Sequence, residues 1–220
     1  MSQIALSVAV PPRWSFAAFS CAAILPLLFD ATRPALADPE LVVLIRHGHK
    51  NNPSSGQPNY NLSAKGLQHA LYLAQLLTVC VVPKNRVHLA SYGFNHITGK
   101  NARSYQTLVP LAVATGANIR VYPNAERRSE QIGRGVRADA QFSGNTIIFA
   151  WEHRHLPQLA LGLGWPQMPI VRDDDFDGIW LLRYRGFLAK PEVTMLSQSK
   201  LRQQKCFDST TSDSHPFLYK

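Results

Sequence analysis

The chain has 220 residues, 45% of them hydrophobic, which suffices for one α/β domain with a proper core and is too short for two. Lysine and arginine number 23 against 14 acidic residues, a net charge of +9, so an anionic ligand is favoured: a phosphorylated small molecule, a nucleic acid or an anionic membrane surface. The basic residues are scattered rather than set in a stripe interleaved with aromatics, which argues against nucleic acid.

Residues 1–37 differ from the rest. Arg13 precedes the apolar run SFAAFSCAAILPLLF, and ATRPALA follows, ending in the small-residue pattern Ala35-Leu36-Ala37 that signal peptidase accepts. The run is about 15 residues long and is interrupted by Pro26, whereas a bilayer crossing needs about 20. A cleavable export signal cut after Ala37 is expected, giving a periplasmic or secreted protein with no membrane attachment. Cleavage removes Arg13, Arg33 and Asp30 and leaves a net charge of +8. Cys80 and Cys206 remain in the mature chain, either as a disulfide pinning the tail to the body or as two free thiols.

Apolar, β-branched runs then recur at 41–45, 87–91, 119–122, 146–151 and 179–184. Between the first two, SAKGLQHALYLAQLL places Leu67, Ala70, Leu71, Ala74 and Leu77 on one helical stripe, with Ser63 as N-cap. Further helices are expected over 100–115, 126–139 and 154–163. This alternation predicts a three-layer α/β/α domain over 38–190, built on a mostly parallel, doubly wound sheet. The tail, 191–220, is polar with little periodicity and reads as disordered or stapled by Cys206.

In such sheets ligands sit beyond the carboxyl ends of the strands. LVVLIRHGHK runs out there into Arg46, His47, Gly48, His49 and Lys50, and TIIFAWEHRH repeats the design with Glu152, His153, Arg154 and His155. Arg103 opens the helix after VHLAS, so its guanidinium is aimed at the same edge. A lone histidine at a strand end is commonly structural; two in matching positions, each beside an arginine, point to a phosphate pocket. Gly48 is expected to let the backbone pass close to the phosphate.

These segments resemble the histidine phosphatase superfamily, the phosphoglycerate mutase-like fold. LIRHGHK is similar to its Arg-His-Gly signature, NLSAKGLQHA to the segment that follows, ARSYQTLVPLA to the helix of the second phosphate-binding arginine, IIFAWEHRHLPQLALGLG to the second histidine's strand and helix, and DDDFDGIWLLRY to the final strand. The resemblance spans about residues 40–185. It implies a phosphomonoester hydrolase in which His47 attacks phosphorus, a phosphohistidine forms, and water hydrolyses it. Arg46, Arg103, His153 and, more weakly, Lys50 would bind the phosphate of a small phosphorylated substrate, with no cofactor and no metal.

The leaving oxygen needs a proton, for which Glu126 is the first candidate because it opens a helix just after a strand end; Glu130, Asp139 and Glu152 are the others. Two other readings stay open. One is a catalytically idle phosphate-binding domain. The other is an exported metal-binding protein that uses the two His-x-His pairs, His47 with His49 and His153 with His155.

Overall fold

The apolar runs become strands because β-branched side chains fit a pleated sheet buried on both faces. The computed structural model describes residues 38–50, 59–82, 86–186 and 189–203. In chain order the elements are β1 (Leu41–Arg46), α1 (Ala64–Cys80), β2 (Val87–Tyr92), α2 (Arg103–Thr115), β3 (Ile119–Tyr122) and α3 (Ala125–Ala138). They continue with β4 (Thr146–Trp151), α4 (Leu156–Gly162), β5 (Gly178–Arg183), β6 (Glu192–Ser197) and the short α5 (Gln198–Leu201). The strands form one sheet in the order β3-β2-β4-β1-β5-β6. The first four are parallel; β5 and β6 are antiparallel additions at one side.

Every residue of β1 and β4 is buried, and their alternating side chains feed two cores. Leu41, Val43 and Ile45 pack with Leu73, Leu77, Leu108 and Leu111 of α1 and α2. Val42 and Leu44 pack with Ile132, Val136, Leu156 and Leu159 on the α3–α4 side. The three-layer α/β architecture expected from the alternation is therefore present, with the parallel strands at its centre.

Three expectations are corrected. The buried stripe of α1 runs through Ala70, Leu73, Ala74, Leu76 and Leu77, whereas Leu67 is 51% exposed. The helix is turned so that its first turn meets the loop after β1 instead of the sheet. The helix expected from 100 begins at Arg103, because Asn95 folds its side chain over the amides of Ile97 and Thr98 and holds a loop there. The tail does not begin at 191: β6 pairs with β5 from Gly178↔Ser197 to Arg183↔Glu192, and α5 follows.

The export signal expected over 1–37 and Cys206 lie outside the described residues. Cys80 is disulfide-bonded, and its partner also lies outside them. Among the described residues no helix is long and apolar enough to cross a membrane.

Candidate active site

β1 and β4 pair in parallel with Arg46 level with Trp151, so both chains leave the sheet at the same height. The His47 amide donates to the Trp151 carbonyl at 3.2 Å and ties the two exits together. His47 is 5% exposed. Its Nδ1 lies 2.8 Å from the Gly48 carbonyl, and because a carbonyl only accepts, Nδ1 carries the hydrogen. The lone pair is then on Nε2. Burial lowers the His47 pKa to about 4, with Arg103 and Arg46 adding to the effect and the Gly48 hydrogen bond opposing it.

The loop after β1 is clamped from two sides. Gly48 N–H donates to the Thr107 hydroxyl at 2.8 Å, and that hydroxyl donates to the Arg103 carbonyl at 2.7 Å, one turn back in α2. Thr107 thus couples the histidine's loop to the arginine's helix. On the other side Gly66 of α1 presses on His49: a Cβ there would lie 2.3 Å from the His49 carbonyl oxygen. At Gly48 a Cβ would meet the Gly66 carbonyl at 3.0 Å and Leu62 at 3.1 Å, so the close approach expected of Gly48 is made to α1.

Arg46 and Arg103 lie close enough to act on His47 through their charges, and His153 lies beside it. The His153 and His47 rings have centroids 6.4 Å apart at 78°. Arg46 is 6% exposed and Arg103 is half-buried; each buries its Nε with no hydrogen-bond partner, and burial lowers the pKa of both. Arg46 also spends its Nη1 on three carbonyls, those of Arg172, Asp173 and Asp175, at 2.8, 2.9 and 2.8 Å. An arginine expected wholly for phosphate is therefore partly the anchor of the loop before β5. That loop returns the contact, since the Asp173 carboxylate hydrogen-bonds His153 Nε2 while its own side chain is 92% exposed. The hydrogen bond to His153 holds the Asp173 pKa below the usual carboxylate range.

β4 ends at Trp151, so Glu152 and His153, although adjacent, are freed from strand alternation and enter a 3-10 turn together. Glu152 is buried and accepts from the Arg154 backbone at 2.9 Å and from Arg154 Nε at 3.0 Å. His153 Nδ1 lies 3.0 Å from a Glu152 oxygen, yet Nδ1 is left without a hydrogen-bond partner.

The other carboxylates are more scattered. Glu126 is exposed in the first turn of α3, at the same sheet edge, close enough for its charge to help raise the Tyr92 pKa after burial. Glu130 pairs with Arg134 one turn along the helix. Asp139 caps the turn at Gln141, at the far end of α3 and hence at the opposite edge of the sheet.

Lys50 is exposed and bridges Leu62 through its backbone. His49 turns to Phe176, ring to ring at 3.9 Å, and to His69 at 5.6 Å, while His155 stacks on Tyr92 at 5.6 Å. The four histidines of the metal-binding reading therefore do not converge. Among the described residues no group of three or more His, Cys, Asp or Glu side chains is placed to hold a metal ion.

Thr107, Asp173 and Phe176 were not singled out in the sequence. The signal for Thr107 was its spacing of four from Arg103, and for the other two it was the acidic run DDDF just before the last apolar strand.

Fold and site together define a three-layer α/β protein with a buried histidine, two arginines and a second histidine brought together at the carboxyl edge of its sheet. No family model matches the chain, and no curated protein matches it. Among solved structures, the protein histidine phosphatase SixA in complex with tungstate is 14% identical and aligns over 73% of this chain and 99% of its own, with a TM-score of 0.49. A mycobacterial glucosyl-3-phosphoglycerate phosphatase is 13% identical over 71% of this chain and 97% of its own, at 0.48. The alpha-ribazole phosphatase of Shigella flexneri is 16% identical over 70% and 95%, at 0.47.

Proposed function

We propose that this protein is a phosphomonoester hydrolase of the histidine phosphatase type, acting through a phosphohistidine on His47. The observation that carries the reading is a buried histidine kept neutral, its Nδ1–H committed to the Gly48 carbonyl and its Nε2 lone pair set among arginines with unpartnered Nε groups. A neutral imidazole fixed in one tautomer is a ready nucleophile, and unpartnered buried donors suit the oxygens of an incoming phosphate.

In the first step Nε2 bonds to phosphorus as the bond to the ester oxygen breaks, and that oxygen leaves with a proton. In the second, water attacks the same phosphorus, the P–N bond breaks, and inorganic phosphate leaves His47 neutral again. Arg46, Arg103 and His153 hold the equatorial oxygens throughout, an electrostatic and positional task. Phosphate takes the place of the Asp173 carboxylate on His153.

For the proton we keep Glu126. Glu152 is held by Arg154, Glu130 by Arg134, and Asp139 lies at the wrong edge, whereas Glu126 stands at the carboxyl edge of the sheet, near Tyr92, with no hydrogen bond or ion pair among the described residues. The protein and its His47→Ala variant should be screened against sugar phosphates, nucleotides, phosphoglycerates and phosphohistidine. Turnover of at least one class by the native protein and none by the variant is expected; full activity in His47→Ala would sink the reading. Tight vanadate binding with no turnover of any ester would favour the idle phosphate-binding domain.

A further inference from the structure

The segment that reads in sequence as a tail, disordered or stapled by Cys206, reaches the loop that Arg46 holds. Gln198, the first residue of α5, is 3% exposed. Its Nε2 donates to the Phe176 carbonyl at 2.8 Å, and its Oε1 lies 2.6 Å from His69 Nε2. The carbonyl of Phe176 only accepts, which fixes the amide's orientation; Oε1 must then accept from His69, which fixes that ring as the Nε2–H tautomer. The Gln198 backbone N–H also donates to the Asp177 carbonyl at 2.9 Å. Two bonds from one residue therefore grip 176–177.

Phe176 is the far end of the loop that Arg46 anchors at 172–175. The Arg46 guanidinium carbon lies 3.8 Å from the Phe176 ring centroid and the His49 ring centroid lies 3.9 Å from it. Two groups this close to one ring must occupy opposite faces, so Phe176 is sandwiched between them. A guanidinium on an aromatic face is held by the ring's quadrupole, and its plane follows the ring. The chain of contact runs from α5 through Gln198 and Phe176 to the guanidinium.

We propose that Gln198 is a positioning residue: by fixing Phe176 it sets the plane in which Arg46 presents its remaining donors to phosphate, without touching the substrate. The inference rests on the phosphatase reading of the pocket. It also gives His49 a place, as the outer slab of the sandwich.

The test is a double-mutant cycle between Gln198→Met and Phe176→Leu, read by calorimetric titration of the protein with vanadate, with thermal unfolding measured alongside. Gln198→Met keeps the length, removes both side-chain hydrogen bonds, to Phe176 and to His69, and leaves the backbone bond to Asp177. About tenfold weaker vanadate binding is expected for each single variant, the weight of one good contact to a charged group, with no further loss in the double. Wild-type affinity in Gln198→Met, with only a lowered unfolding temperature, overturns the proposal, as do single losses that multiply in the double. Where Gln198→Met does not fold, Gln198→Glu enters the same cycle. A simple charge effect would then persist in the Phe176→Leu background, whereas action through Phe176 vanishes there. A native protein that binds no vanadate overturns the phosphatase reading and this inference with it.

Discussion

Buried arginines sit at both edges of the sheet and meet opposite surroundings. At the amino edge Arg137 forks onto Asp38, with Nε to Oδ1 at 2.8 Å and Nη2 to Oδ2 at 2.9 Å, and Nη2 also reaches the Ala189 carbonyl at 2.9 Å. The hydrogen bond to Asp38 raises the Arg137 pKa. At the carboxyl edge Arg46 and Arg103 bury Nε without a partner, and burial lowers both pKa values. A matched fork is part of the fold, whereas an unmatched one carries a desolvation cost that an arriving anion would relieve. Arg137 thus serves architecture alone, Arg46 divides its donors between the loop before β5 and its unpartnered Nε, and Arg103 makes no side-chain hydrogen bond among the described residues.

The largest expected effect breaks the matched side. Arg137→Ala leaves the Asp38 carboxylate, which is 1% exposed, without its partner and should cost roughly 3–5 kcal/mol of stability in urea unfolding. Turnover per folded molecule should stay near the native value, because the pair lies at the edge opposite His47. An equal loss of stability and specific activity would erase the distinction.

The next effect inverts that outcome. Arg103→Ala removes a guanidinium whose Nε has no hydrogen-bond partner, so stability should hold or rise while kcat/KM falls about a hundredfold, the size of one lost transition-state donor. Unfolding midpoints and kinetics on the same preparation check both halves. A strongly destabilised Arg103→Ala would place that arginine with Arg137.

How legible each part was follows from where its information resides. β1 and β4 were readable because strands buried on both faces must be apolar throughout. β6 was not: EVTMLS is an edge strand paired only with β5, with Met195 65% exposed, so backbone bonds hold it and its side chains need no period. Arg46, His47, Arg103 and His153 were readable because strand ends and helix starts of a parallel sheet share one edge. Thr107, Asp173, Phe176 and Gln198 act through backbone carbonyls, hydroxyls and a ring face, contacts to which any polar or aromatic residue is eligible. His49 shows the limit in reverse. Its spacing from His47 suggested a metal pair, but the chain has left the strand by then, and Gly66 and Phe176 decide where the ring goes.

The finest test lies between the arginines and the nucleophile. Nδ1 of His47 already carries its hydrogen, so a further proton goes to Nε2 and removes the attacking lone pair. With the His47 pKa lowered to about 4, the acid limb that His47 imposes on kcat/KM, after correction for ionisation of the substrate phosphate, should lie near 4, where an ordinary histidine would place it near 6.5. Stability follows the same shift. In the unfolded chain His47 takes its proton near 6.5 and in the folded chain near 4, so between those values the unfolded state binds more protons. The native state therefore loses stability as pH falls through that window, and His47→Gln should flatten this slope. Arg103 and Arg46 contribute to the depression after burial, so removing the Arg103 charge should move the acid limb upward while leaving it below 6.5. An acid limb that stays in place in Arg103→Ala would mean that burial and Arg46 suffice to keep His47 neutral. In the proposed mechanism the part of Arg103 would then be confined to the phosphate.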